Sequence, residues 1–137
     1  MEPKRVLFLC TGNSCRSQMA EALVNAEADH RWQAFSAGSA PAGYVHPMAL
    51  KVLEEAGIHH EGFSKPMDYF KGQHFDLIVT VCNDDEENCP VWLGKDKQVH
   101  LAFPDPAKAS GSEEQKSTAF RKVREDMRNR MLPVLRG

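Results

Sequence analysis

The sequence predicts a single-domain α/β protein, a three-layer sandwich with a small, mostly parallel four-stranded sheet flanked by helices. Three observations carry that expectation. The apolar runs within Arg5–Cys10 and Leu77–Val81 are continuous rather than alternating, as in parallel strands covered on both faces. Helical periodicities separate the strands, giving the order strand, helix, strand, helix, strand, strand, helix. A chain of 137 residues buries one core without disulfide support, so one domain over residues 1–137 is expected.

Each element has its own signal. Arg5–Cys10 is the first strand, and Ala20, Leu23 and Val24 mark the buried stripe of a helix over about Cys15–Ala28, with Glu21 and Glu27 expected on its outer side. Trp32–Ala37 is a second, weaker strand, closed by the small residues and proline of Gly38–Gly43. A helix begins at His46-Pro47, buries Ala49, Val52, Leu53 and Ala56, and stops at Gly57, placed for a left-handed cap. Ser64–Lys71 suits a short helical turn covering the sheet. Leu77–Val81 is a buried strand ending at Cys82, and the alternation of Val99, Leu101 and Phe103 with His100 and Ala102 suggests a strand with one less buried face. Pro104-Asp105-Pro106 then breaks the chain into a rigid loop. Ser112 and Gln115 form a capping-box pattern ahead of a helical stripe at Phe120, Val123, Met127 and Met131, running toward Pro133.

Composition narrows the function. With 42% hydrophobic and 26% charged residues and a formal net charge of −2, nothing draws the whole chain to nucleic acid, and no binding to it is expected. The N-terminal apolar run Val6–Leu9 is too short for a signal core or a membrane span, so a cytoplasmic protein with no membrane partner is expected. In that compartment four cysteines point to catalysis, redox exchange or metal binding rather than to structural disulfides. The C-x4-C and C-x6-C spacings do not fit the short knuckles of zinc sites, and no metal site is expected.

The segment Cys10-Thr11-Gly12-Asn13-Ser14-Cys15-Arg16-Ser17 follows a strand and opens a helix. Small and polar residues between a cysteine and an arginine let backbone N–H groups converge on one oxyanion, helped by the helix N-terminus. Those dipoles, Arg16 and the Ser17 hydroxyl favour a Cys10 thiolate, and the Arg16 fork suits two oxyanion oxygens. In open α/β sheets ligands bind at the carboxyl ends of strands, where Cys10, Cys82 and Asp105 all fall. If the first and third strands are neighbours, about 4.8 Å apart, Cys10 and Cys82 come within reach of a modest loop movement. The competing readings are a buried core cysteine beside a surface arginine, and incidental thiols at Cys82 and Cys89.

The chain resembles the low-molecular-weight phosphatase superfamily at Cys10–Ser17, and the longer segment Cys10–Glu21 is similar to its thioredoxin-coupled arsenate reductases. Val79-Thr80-Val81-Cys82 followed by Cys89-Pro90 is similar to the redox segment of those reductases, and Asp105-Pro106 matches the superfamily's acid loop. The resemblance implies a phosphatase-like fold and a thiol relay. Cys10 attacks arsenate while Arg16 and the loop from Thr11 to Ser17 hold the oxyanion; Cys82 attacks Cys10 and arsenite leaves; Cys89 attacks Cys82; thioredoxin reduces the resulting pair. Asp105 is implied as proton donor. Phosphate or sulfate are expected loop ligands, thioredoxin the partner, no tightly bound cofactor, and a monomer.

Other residues have plainer readings. Cys15 packs at the helix start or offers Cys10 an off-path oxidation partner; Asp84–Glu87 is a solvated run that disfavours a Cys89 thiolate; His59-His60 lies on the surface; His46 has no role. In reductases of this family a potassium ion can sit beside the loop, and Asn13, Glu21 and Ser36 look like part of that site. Lys65 falls where an acidic partner would help, so its ammonium is expected to replace the cation and pair with Glu21. The alternative functions are phosphomonoester hydrolysis, which needs neither Cys82 nor Cys89, and a redox-responsive anion-binding module without turnover.

Overall fold

The computed structural model describes residues 2–28, 31–83 and 90–136. Four strands, β1 (Lys4–Cys10), β2 (Trp32–Gly38), β3 (Leu77–Thr80) and β4 (Gln98–His100), form one sheet in the order β2-β1-β3-β4 with every pairing parallel. β1 is central, and its residues from Val6 to Cys10 are buried because both faces are covered. Val6 and Phe8 point into one core with helices α1 (Arg16–Glu27), α2 (Pro47–Glu55) and α3 (Glu113–Arg136). Leu7 and Leu9 point the other way, onto Phe70, Phe75 and Ile78. That second layer is thin: a 3-10 helix at Met67–Phe70 and the segment carrying Trp92 supply it.

The local signals hold at most boundaries. His46 caps α2 through Nδ1, which accepts from Met48 N at 3.1 Å, and Gly57 takes φ +79° just after it. Ser112 and Gln115 make the reciprocal capping box, at 2.7 and 3.1 Å. Two details differ from expectation. β4 ends at His100 instead of continuing to Phe103; Phe103 is fully buried, with the Arg130 guanidinium 4.5 Å from its ring centroid, so its apolar character serves helix packing rather than a ladder. α3 continues through Pro133 to Arg136.

The parallel register decides what meets at the site. Leu9 pairs with Thr80, and Val81 N donates to Leu9 O at 2.9 Å, so the chain leaves β3 beside the end of β1 with Cys82 next in line. Cys10, Cys82 and the loop after β4 thus share the carboxyl edge of the sheet. Among the described residues no helix is long and apolar enough to cross a membrane.

Candidate active site

The loop from Cys10 to Cys15 is shaped by bonds on its outer side. The carbonyls of Thr11, Gly12 and Ser14 accept from Ala40 N, Ala42 N and His46 N at 2.9, 2.9 and 3.0 Å. A trans peptide points its N–H opposite its C=O, so turning these carbonyls outward turns the following amides inward. The Gly12–Asn13 peptide demonstrates it: Gly12 O is bonded outside, and Asn13 N donates to Cys10 Sγ at 3.3 Å. Asn13 reaches this geometry with φ +48°, the one positive-φ residue other than glycine among those described. Gly38 closes the other wall, since a Cβ there would stand 2.5 Å from Thr11 O.

Cys10 is 2% exposed, and its sulfur lies 2.8 Å from Ser17 Oγ. Ser17 Oγ also accepts from Asn13 Nδ2 at 2.7 Å, and its hydroxyl can donate to Cys10 when that sulfur is a thiolate. Arg16 opens α1 and is 4% exposed; its guanidinium donates to Phe103 O at 3.3 Å and stands 3.8 Å from Asp105 Oδ2. Asp105 caps the short 3-10 helix at Pro106–Lys108 through a 3.0 Å bond from Ala107 N, which holds its carboxylate at the rim. A cavity of about 200 Å³ lies between Cys10, Arg16, Asp105, His46 and Tyr44, room for a tetrahedral oxyanion. Burial, reinforced by the neighbouring Asp105 and Cys10, pushes the Cys15 thiol up to about 12, so Cys15 stays protonated.

A sequence profile of the family described as low molecular weight phosphotyrosine protein phosphatase matches residues 5–135. The chain belongs to this family. It is 42% identical over 132 residues to an arsenate reductase of Halalkalibacterium halodurans, covering 96% of this chain and 94% of that one. It is 41% identical, with the same coverage, to an arsenate reductase of Bacillus subtilis. An arsenate reductase of Archaeoglobus fulgidus superposes with a TM-score of 0.74 at 33% identity, over 90% of this chain and 96% of that one. A thioredoxin-dependent arsenate reductase of Corynebacterium glutamicum gives a TM-score of 0.59 at 28% identity, over 97% of this chain and 63% of that one.

Within this family fold, Cys10, Gly12, Ser14, Cys15 and Arg16 line one cavity with Asp105, whereas Thr11, Asn13 and Ser17 of the same loop do not line it. Cys82 lies fully buried at the end of β3 and is disulfide-bonded, whereas Cys10 and Cys15 are free. Cys89 and the Asp84–Glu87 run lie outside the described residues. No group of His, Cys, Asp and Glu among the described residues is arranged to hold a metal ion.

Two placements correct the sequence reading. Glu21 faces inward, accepting from Ser36 Oγ at 2.7 Å, and burial raises its carboxyl above the usual range against the opposing effects of Ser36 and Lys65. His60 also lies inward, 7% exposed at its side chain, while His59 stays outside at 71%. Lys65 sits near Glu21 as anticipated but makes a different contact: Nζ donates to Phe63 O at 2.8 Å and acts on Glu21 through space. Burial lowers the Lys65 ammonium, and Glu21 partly restores it. Gln18 is the residue that patterning missed. It is fully buried, with Nε2 donating to Asn13 Oδ1 at 3.0 Å and to Phe63 O at 2.9 Å, and its place next to Ser17 at the helix start was the available signal.

Proposed function

We propose that this protein is an arsenate reductase that passes two electrons through Cys10, Cys82 and Cys89 and is recharged by thioredoxin. The observation that carries the reading is the free Cys10 sulfur at the centre of an inward-turned amide loop, with Arg16 and Asp105 at the same cavity and Cys82 at the neighbouring strand end. Cys10 attacks arsenic and displaces an oxygen that leaves as water, with Asp105 supplying a proton and Arg16 and the amides from Thr11 to Ser17 holding the remaining oxygens. Cys82 then attacks the Cys10 sulfur; the S–As bond breaks, its electron pair goes to arsenic, and arsenite departs from a Cys10–Cys82 disulfide. Cys89 attacks Cys82, frees Cys10, and leaves a Cys82–Cys89 disulfide for thioredoxin. The protein works as a cytoplasmic monomer without a tightly bound cofactor.

The Lys65 ammonium stands in for a potassium ion near Glu21. Turnover in potassium and in sodium salts of equal ionic strength is then the same; marked activation by potassium overturns that substitution. The test of the whole reading is NADPH consumption with arsenate, supplied separately with a thioredoxin system and with glutathione plus glutaredoxin, beside a chromogenic phosphate ester. Arsenate-dependent turnover with thioredoxin is expected, and none with either reductant refutes it. Phosphomonoester hydrolysis is the second reading, favoured by Asp105 lying across from Arg16 at 3.8 Å, and survival of ester cleavage in Cys82→Ser separates the two.

A further inference from the structure

Behind the anion loop stands a side chain that no step above uses. His60 Nε2 lies 2.7 Å from Gln18 Oε1 and 3.8 Å from Glu21 Oε2. The Gln18 amide nitrogen faces three acceptors, Asn13 Oδ1, Asn13 O and Phe63 O, at 3.0, 3.2 and 2.9 Å. Its oxygen therefore faces His60 as an acceptor, and the proton of that bond resides on His60 Nε2. Asn13 is oriented the same way: Oδ1 accepts from Gln18 and from Lys65 N at 3.0 Å, and Nδ2 donates to Ser17 Oγ at 2.7 Å. Ser17 ends the series 2.8 Å from Cys10 Sγ. With Cys10 as a thiolate, which can only accept, every donor in the chain His60, Gln18, Asn13, Ser17 points toward Cys10.

The chain around His60 is built for this contact. A Cβ at Gly62 would collide with both Gln18 Oε1 and His60 Nε2, so glycine leaves the two side chains room to meet. We propose that His60 is a positioning residue for the Cys10 nucleophile, holding the Gln18 and Asn13 amides in the orientation that lets Ser17 donate to the thiolate. The proposal rests on Cys10 being the nucleophile. Hydrogen bonds aligned donor to acceptor polarise one another, and a chain ending on an anion gains most from it. Burial, Lys65 and His59 disfavour a charged imidazole, so the ring keeps a single proton.

The test compares His60→Leu, which cannot donate, with His60→Gln, whose amide nitrogen reproduces the Nε2 donor. Iodoacetamide alkylation of Cys10, resolved by peptide mass spectrometry, is followed at low and high pH without arsenate. In His60→Leu the rate at low pH falls about 3–10-fold, and at high pH, where every Cys10 is ionised, it matches wild type; His60→Gln recovers to within about two-fold. A purely structural role would alter both rates together or neither. Wild-type rates in His60→Leu at both pH values, or a His60→Gln as slow as His60→Leu, overturn the proposal. If His60→Leu does not fold, imidazole nitrogen NMR of the wild-type protein decides: a proton on Nε2 is required, and a proton on Nδ1 overturns it. Because alkylation needs no arsenate, absence of arsenate turnover would remove the reductase reading and leave this comparison standing.

Discussion

Replacing Arg16 by lysine retains the positive charge and removes the fork. Arg16 is 4% exposed and holds its place by donating to Phe103 O at 3.3 Å, with Asp105 Oδ2 at 3.8 Å, so its guanidinium meets the cavity as a fixed plane. A planar fork gives two parallel bonds to an oxyanion, and an ammonium supplies one in that geometry. One hydrogen bond to a charged group is worth about 1.5–3 kcal/mol. At about 1.36 kcal/mol per decade, Arg16→Lys lowers kcat/KM for arsenate by roughly 10–150-fold. Coupled assay with thioredoxin, thioredoxin reductase and NADPH measures the ratio, and the thermal unfolding midpoint establishes that the variant is folded. Phosphate, as a competitive inhibitor, weakens in parallel. A folded Arg16→Lys within about two-fold of wild type refutes the argument that bidentate geometry, rather than charge alone, organises the cavity.

Three further outcomes are expected. Cys89→Ser releases one arsenite per chain and stops as a Cys10–Cys82 disulfide identified by peptide mapping; repeated turnover removes Cys89 from the relay. Gly38→Ala drives a Cβ against Thr11 O, 2.5 Å away in the undistorted backbone, and costs about 1–3 kcal/mol in denaturant unfolding together with activity; an unchanged midpoint means the loop yields freely. Glu21 is raised in the folded state chiefly by burial, so the native protein holds its proton to higher pH than the unfolded chain. Its contribution is complete below the unfolded carboxyl range, about 4.3, and is lost as pH rises through the higher folded value. Glu21→Gln therefore flattens the fall in stability from acid to neutral pH, and denaturation curves that decline as steeply as in wild type contradict it.

What the sequence made legible was local. The anion loop is read from eight consecutive residues, and the caps at Gly57 and Ser112 from their immediate neighbours, whereas the capping role of His46 was not. What it hid lies across long separations. The first turns of α1 have no free side: from Arg16 to Ala20 every residue is buried, because the sheet, the other helices and the segment around Phe63 enclose it. A single-stripe pattern assumes an exposed outer face, and for Glu21 that face is occupied by Ser36, His60 and Lys65, brought in from distant parts of the chain. Phe103 misled for the converse reason, its alternation coming from helix packing rather than from a strand. The loop around Cys10 is thus written in the motif, while the orientation of Gln18 and Asn13 depends on partners 42 to 52 residues away. Loss of the Cys10 sulfur should abolish chemistry; substitutions at His60, Gly62 and Lys65 should tune it.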